Sequence, residues 1–334
     1  MRLSAVGEFG LINIIKQNTI NDHATVRCGI GDDAAVLKPT GNMLQLATTD
    51  MLVQDVHFSL ATSGPWQLGY KALAVNISDI AAMGGLPRHA LISVALPRAV
   101  SVAFVEQLYA GLKAIAAKYA LNIVGGDTVS SPAGIVINVT VLGEAEQDRV
   151  IYRSGAREGD WLVVSGTLGD SAGGLHILRE QLDFAGGEPL VQAHLLPEPQ
   201  VELGRLCARY QVHALNDISD GLASELHEIC AASGCGAVIY QNRLPLSREL
   251  GTLAAFTGQA AADYALYGGE DYQLLFTARP ETVQRMLQDN PKIKLTVVGE
   301  TAAKETGVVL VDERGSSMPL LPGGYNHFAG GEKR

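Results

Sequence analysis

Gly29-Ile30-Gly31-Asp32-Asp33-Ala34-Ala35-Val36, followed by Leu44-Gln45-Leu46-Ala47-Thr48-Thr49-Asp50, is the stretch on which the reading of this chain turns. Its first part is a glycine-rich turn with two adjacent carboxylates. Its second part reads as a short strand, Leu44 to Ala47, ending in two hydroxyls and a third carboxylate. Neighbouring carboxylates repel when both are ionised, so Asp32-Asp33 at a tight turn has two readings. One is a solvated turn, since Asp and Gly are turn residues. The other is a hard-cation site, because Mg²⁺ is held by a few carboxylates together with substrate phosphates. Gly29-x-Gly31-x-x-Ala34 imitates the dinucleotide fingerprint, yet two aspartates inside that turn would repel a bare pyrophosphate. A Walker A sequence and the kinase H-R-D and D-F-G motifs are absent from the sequence.

Acidic residues recur along the chain in comparable settings. A helix is expected from Ser63, as its cap, through Pro65 in the first turn to Gly84-Gly85 at its end. Leu68, Ala72, Val75 and Asp79 fall on one face of it. Asp79 therefore lies on the apolar stripe, near the C-terminal end where the helix dipole disfavours an anion. Either a buried Arg or Lys partner or a bound cation would compensate it. A strand, Leu121 to Val124, ends in Gly125-Gly126-Asp127-Thr128, and Asp217-Ile218-Ser219-Asp220-Gly221 forms another carboxylate turn ahead of an amphipathic helix built on Leu222, Leu226 and Ile229. Tyr267-Gly268-Gly269-Glu270-Asp271-Tyr272 precedes a strand over Gln273 to Thr277.

Around these motifs, Leu11, Ile14 and Ile15 have helical core spacing. Ala90 to Leu96 reads as a strand and Ser101 to Tyr119 as an amphipathic helix on Phe104, Leu108, Leu112 and Ile115. Gly134 to Gly143 is a strand alternating Ile135, Ile137, Val139 and Val141. The polar segment Glu144 to Asp148 marks the expected boundary between domains of residues 1–148 and 149–334. Trp161 to Ser165 is a strand. Gly166 to Gly174 is a glycine-rich turn opening a helix, to be capped by Asp170 or Ser171 or to hold an anion on its N–H groups. Gly186 to Pro199 reads as a loop or lid, and Gln200 to Tyr210 as a helix. Strands and helices mix without a strict βαβ rhythm, so the expected fold class is α+β with two mixed domains.

Composition narrows the function. The chain has 334 residues, enough for two domains with real cores, and 47% apolar against 18% charged content excludes disorder. A net charge of −10 argues against a nucleic-acid or anionic-membrane partner and implies that a phosphorylated ligand arrives with metal. The four cysteines, Cys28, Cys207, Cys230 and Cys235, lack C-x-x-C spacing and read as buried apolar residues of a reducing compartment. No segment reaches the ~20 apolar residues of a membrane span, and no signal pattern opens the chain, so a cytoplasmic protein is expected. The eight histidines are scattered, which disfavours a zinc hydrolase, and the EF-hand loop is missing. Many carboxylates and glycine turns suit several Mg²⁺ ions gripping a polyphosphate, as in phosphoryl transfer. No general base is evident. A phosphate monoester as acceptor needs none, since its second pKa lies near ~6.

Gly29 to Val36, Thr48-Thr49-Asp50-Met51 with His57-Phe58, and Tyr70 to Gly84 closely resemble the thiamine-monophosphate kinase family. So do Gly125 to Thr128, Arg153-Ser154-Gly155-Ala156, Gly169 to Ala172, Asp217 to Gly221, Gly268 to Tyr272 and Gly324-Tyr325-Asn326-His327-Phe328. The resemblance spans almost the whole chain in the family's order. It implies transfer of the ATP γ-phosphate onto thiamine monophosphate, and the fold shared with aminoimidazole ribonucleotide synthetase, dimerising through N-terminal sheets. On it, residues 1–148 are an ATP- and magnesium-binding domain that also dimerises, and residues 149–334 complete the nucleotide and substrate site. Asp33, Thr48, Thr49, Asp50, Asp79, Asp127, Asp217 and Asp220 correspond to magnesium ligands. Gly126, Asp127, Arg153 and Ser219 correspond to nucleotide contacts, and His57, Glu270 and Tyr325 to substrate contacts. An acidic, aromatic pocket suits the cationic thiazolium of thiamine. Gln54-Asp55 and Asn326 depart from the family's commoner Glu-Gly and Asp. The alternatives are a phosphate-releasing hydrolase, a non-catalytic ATP module, or a superfamily member with a reactive terminal cysteine; the closing residues here are Gly331-Glu332-Lys333-Arg334.

Overall fold

The computed structural model describes residues 11, 14–28, 30 and 36–324. Asp32, Asp33, Tyr325 and Asn326 lie outside them. The chain divides into two compact units, residues 1–150 with 198–209, and residues 151–197 with 210–334. Mixed sheets and segregated helices make the fold α+β.

The first unit pairs β1 (Val26–Cys28) with β2 (Val36–Leu37), and builds a four-stranded sheet from β3 (Met43–Val53), β4 (Leu86–Pro97), β5 (Asn122–Ser131) and β6 (Val136–Glu146). Its order is β3-β6-β4-β5, antiparallel except for β4 and β5. Those two are parallel because a helix connects them, which carries the chain back to the same end. Ile137, Val139 and Val141 of β6 and Ile92, Val94 and Leu96 of β4 face the helices and are buried. Two expected strands are longer than their local signal. β3 does not end at Ala47, nor β5 at Val124. Thr48, Thr49 and Asp50 pair with Val141, Thr140 and Val139, and Asp127 pairs with Ser93. Glycine and polar residues that stop an isolated strand are carried through here by ladder bonds to their neighbours.

α1 (Pro65–Ala82) starts at Pro65 as expected, but its N-cap is Gly64, not Ser63. Pro65 at the first helical position has no N–H, so the helix start has one fewer free donor, and Gly64 brings no side chain to cap the others. α2 (Val102–Lys118) is capped by Ser101, whose Oγ accepts the Phe104 N–H at 3.1 Å. Leu108, Leu112 and Ile115 are buried as their spacing predicts, while Phe104 in the first turn is only half-buried. The two helices cross at glycines. A Cβ on Gly69 would collide with the Leu108 carbonyl, and one on Gly111 with the Trp66 carbonyl. This approach leaves α1 buried on nearly every side, not on one stripe.

The chain then enters the second unit with β7 (Trp161–Ser165), α3 (Asp170–Glu180) and α4 (Glu188–Leu195). α4 occupies the segment expected as a loop or lid; Leu190 on its inner face joins Ile177, Leu250, Leu253 and Tyr264 in a small core. α5 (Val201–Tyr210) belongs to the first unit up to residue 209. There Arg205 donates to the Gly84 carbonyl at 2.7 Å and to Glu146 at 2.6 Å, closing the C-terminal end of α1.

The rest of the second unit is β8 (Ala214–Asp217), α6 (Leu222–Ser233), β9 (Gly236–Tyr240), α7 (Arg248–Thr257), α8 (Ala261–Tyr267), β10 (Leu274–Ala278), α9 (Pro280–Asp289), β11 (Leu295–Ala302), β12 (Val308–Val311) and β13 (Ser317–Pro319). Its seven strands run in the order β13-β12-β9-β11-β7-β10-β8. Leu222, Leu226 and Ile229 of α6 pack with Leu162, Val164, Ile239 and Leu275 on one face of this sheet. Each such side chain contributes roughly 1.5–3 kcal/mol on burial. Cys207 and Cys230 are buried, Cys235 is half-buried, and all three are free thiols; burial pushes Cys230 up to about 12. Among the described residues, no helix is long and apolar enough to cross a membrane.

Candidate functional site

Each unit carries an acidic cluster. In the first, β3 delivers Thr48 and Asp50 to the face of the sheet that α1 covers, because alternate strand residues share a face. Asp79 comes from the last turns of α1, where the helix dipole opposes its charge. The Thr48 hydroxyl donates to the Asp79 carboxylate. Asp50 and Asp79 lie within hydrogen-bonding reach of each other. Burial first, and then the neighbouring Asp79 charge, pushes the Asp50 carboxyl well above the usual carboxylate range. Two carboxylates this close cannot both ionise without cost, and a shared proton or a divalent cation relieves it.

Not every expected residue joins this group. Thr49 points to the opposite face, where its Oγ contacts Thr140 Oγ at 3.0 Å and donates to the Val139 carbonyl at 3.1 Å. Asp127, on the far edge strand β5, is exposed on that same open face and pairs with Ser93 of β4. Three strand spacings, roughly 14 Å, separate β5 from β3. Gly126 beside it holds φ +153°, and a Cβ there would strike the Ile92 carbonyl, so only glycine fits the position. His57 is half-buried in the turn after β3, and its Nδ1 accepts the Val53 N–H at 2.9 Å. A neutral His57 therefore carries its proton on Nε2.

In the second unit two motifs are stitched together. The Glu270 N–H donates to the Ser219 carbonyl at 2.6 Å and the Tyr272 N–H to the Ile218 carbonyl at 2.9 Å. Asp217, Ser219, Asp220 and Glu270 thus sit on adjoining backbone. Glu270 and Tyr272 adopt φ of +67° and +49° to make this join, a strained backbone for non-glycine residues. Arg153 reaches the same turn, donating from Nε to Asn216 Oδ1 at 3.0 Å and pairing with Glu228 at 2.7 Å.

Several participants escaped the sequence reading. The α3 N-terminus is capped neither by Asp170 nor by Ser171. Asp271 accepts the Gly169 N–H at 2.8 Å and the Ser171 N–H at 3.4 Å from about a hundred residues away. Burial pushes its carboxyl up to about 8, against the pull of those two donors. His194, on α4, contacts Ser171 Oγ at 3.2 Å and Glu270 at 3.3 Å. Glu225 lies buried under the Asp217–Gly221 turn, and burial raises its carboxyl to about 7. The sequence did carry a signal for Glu225: it falls on the Leu222–Leu226–Ile229 stripe, as Asp79 does on its own. Asp271 lies inside the Gly268–Tyr272 motif, which assigns it no role of its own, and no local signal marks His194.

Among the described residues, no three His, Cys, Asp or Glu side chains gather into a metal cage. Paired carboxylates with hydroxyls suit Mg²⁺, which takes one or two protein carboxylates and fills its shell with phosphate oxygens and water.

The chain matches the family models "AIR synthase related protein, N-terminal domain" over residues 31–145 and "AIR synthase related protein, C-terminal domain" over residues 157–312. It is 40% identical to the thiamine-monophosphate kinase of Bacillus subtilis, over 96% of this chain and 99% of that protein. The structure is similar to the crystal structure of thiamine-monophosphate kinase from Stenotrophomonas maltophilia, with a TM-score of 0.81 and 35% identity over 91% of this chain and 96% of that one. It is also similar to AaThiL complexed with AMPPCP and TMP, with a TM-score of 0.78 and 38% identity over 98% and 99% of the two chains.

Proposed function

The chain belongs to the thiamine-monophosphate kinase family of AIR synthase-related proteins, and on that premise we propose that it transfers the γ-phosphoryl group of ATP directly to thiamine monophosphate, forming thiamine diphosphate. The observation that carries this reading is the join between Asp217–Gly221 and Gly268–Tyr272. It sets carboxylates suited to phosphate-bound metal beside Glu270, an anion suited to a cationic substrate.

Thr48, Asp50 and Asp79 would hold Mg²⁺ in the first unit, and Asp217 and Asp220 in the second. Thr49, Asp127 and Asp33 are further proposed ligands. Bound there, Mg²⁺ supplies charge neutralisation for the polyphosphate. Gly126, Asp127, Arg153 and Ser219 contact the nucleotide; Arg153 is held by Asn216 and Glu228 with part of its guanidinium exposed. Glu270 meets the thiazolium charge, and His57 offers its Nε2 proton to the substrate; Tyr325 contacts the substrate as well. No residue needs to deprotonate the acceptor, because a phosphate monoester is already anionic at neutral pH.

Residues 1–148 supply the ATP and magnesium functions and residues 149–334 complete the nucleotide and substrate functions. The open face of the first sheet exposes Met51, Leu91 and Val129, and a second copy of the chain covers it in a homodimer. The reaction takes place in the cytoplasm, which supplies ATP and Mg²⁺.

Incubation with γ-labelled ATP, alone and then with each acceptor, tests the reaction. Label should enter thiamine diphosphate, with little transfer to unphosphorylated thiamine and none retained on the protein. A phosphoenzyme that chases into product, or faster transfer to thiamine than to its monophosphate, would overturn direct transfer.

A further inference from the structure

Glu225 is 2% exposed, and burial raises its carboxyl more than the nearby Arg153 charge lowers it. One oxygen, Oε1, accepts the Ser219 hydroxyl at 3.2 Å and the Asp220 N–H at 3.1 Å. The other, Oε2, accepts the Asn216 side-chain amide. Asn216 in turn accepts Arg153 Nε at 3.0 Å.

This is not an ordinary helix cap. In a capping box the third helical residue reaches back to the N-cap N–H. Here the N-cap is Gly221, and Glu225, the fourth residue of α6, reaches past it to Asp220. Its hydrogen bonds go to the residues ahead of the helix and to the strand before them, not to the helix's own free N–H groups. Removing it would leave Ser219, Asp220 and Asn216 without their shared acceptor while the apolar side of α6 keeps its packing.

We propose that Glu225 is the positioning residue of the Asp217–Gly221 turn: it fixes Ser219 and Asp220 for the nucleotide and its metal, and through Asn216 it sets the Arg153 guanidinium. The inference rests on the reading of that turn given above. With its hydrogen committed to Glu225, the Ser219 oxygen meets the nucleotide as an acceptor. Glu225 itself touches neither substrate.

The test compares Glu225→Gln, Glu225→Ala and Glu225→Asp with Ile229→Ala, a core change on the same helix that leaves the turn alone. The full chain is assayed below its melting temperature for the KM of ATP, the Mg²⁺ concentration at half-activation, and the KM of thiamine monophosphate. Glu225→Gln keeps the volume of the side chain and serves if Glu225→Ala does not fold. Expected is a rise of about tenfold or more in the ATP and Mg²⁺ terms, at least five times any change for thiamine monophosphate. Glu225→Asp recovers part of the loss, and Ile229→Ala lowers melting temperature without moving the ATP and Mg²⁺ terms. In a Ser219→Ala background the Glu225→Gln effect should shrink, since part of it acts through that hydroxyl. Asp217→Asn and Asp220→Asn separate the two levels of the argument. If both keep wild-type ATP and Mg²⁺ dependence, the role given to the turn fails and this inference with it. If both lose it while Glu225→Gln behaves as Ile229→Ala does, only the positioning role is overturned.

Discussion

Asp50 and Asp79, proposed above as magnesium ligands, occupy positions that are poor for stability. Each is an acid in a place where charge is costly, one facing a helix-covered sheet surface and one near a helix C-terminus. Asp50→Asn or Asp79→Asn should therefore lower turnover by about 10²–10³ while leaving circular dichroism native. The melting temperature without metal should hold or rise, because the variant removes a like-charge contact. Near-wild-type turnover at saturating Mg²⁺ would remove these residues from the phosphate site. Asp271 makes a pH prediction. Its carboxyl stands near 8 in the fold against 3.8 ordinarily. Between those values the folded chain holds a proton that the unfolded chain has lost, so stability falls as pH rises through that window. Glu225 and Asp50 shift in the same direction. The melting temperature of metal-free protein should drop from pH 5 to pH 8, and Asp271→Asn should flatten the slope. A melting temperature that climbs over that range would contradict the assignment.

At the scale of elements, the α1–α2 crossing fixes where Asp79 is presented. The two helices meet backbone to backbone, and neither Gly69 nor Gly111 has room for a methyl group. Gly111→Ala must push the helices apart, at a cost on the order of 1–3 kcal/mol or more. Urea unfolding should report that loss, and activity should fall with it as Asp79 shifts from Thr48. A midpoint equal to wild type would mean that the crossing gives way without strain. Local pattern foretold these helices well. Ser101, the Leu108–Leu112–Ile115 stripe and Pro65 act within a turn or two of themselves, where sequence alone carries the physics. Strand lengths were not legible in that way. β3 and β5 run past their hydrophobic signal because β6 and β4 supply hydrogen-bond partners, and a single segment does not show whether partners will be present.

For the molecule as a whole, the two proposals that matter are the return of α5 and the dimer. Residues 198–209 complete the first unit, with Arg205 closing α1 and Gly204 packed against Ala81. A fragment ending at residue 150 should therefore be less stable than the first unit in the intact chain. Hydrogen exchange of α1 amides in the two contexts measures the difference, and equal protection would show that α5 is dispensable. If a second copy covers the open face of the first sheet, Met51→Glu with Val129→Glu should convert the protein to a 35 kDa species at micromolar concentration, with wild type sedimenting at twice that mass. A wild-type monomer would refute the dimer outright.

Sequence by itself determined the family, through motifs in order along nearly the whole chain, and with it the reaction class and the two-domain α+β fold. It also placed the main helices, since capping and apolar periodicity are short-range effects. Tertiary structure alone decided which carboxylates share a face, gathering Thr48, Asp50 and Asp79 while setting Thr49 and Asp127 on the other side of the sheet. It alone supplied Asp271 as the cap of α3 from about a hundred residues away, and Glu225 as the acceptor beneath the Asp217–Gly221 turn. The reason is the range of the forces. A buried polar group must find a hydrogen-bond partner, but nothing in its own neighbourhood of the sequence says which distant segment will provide it.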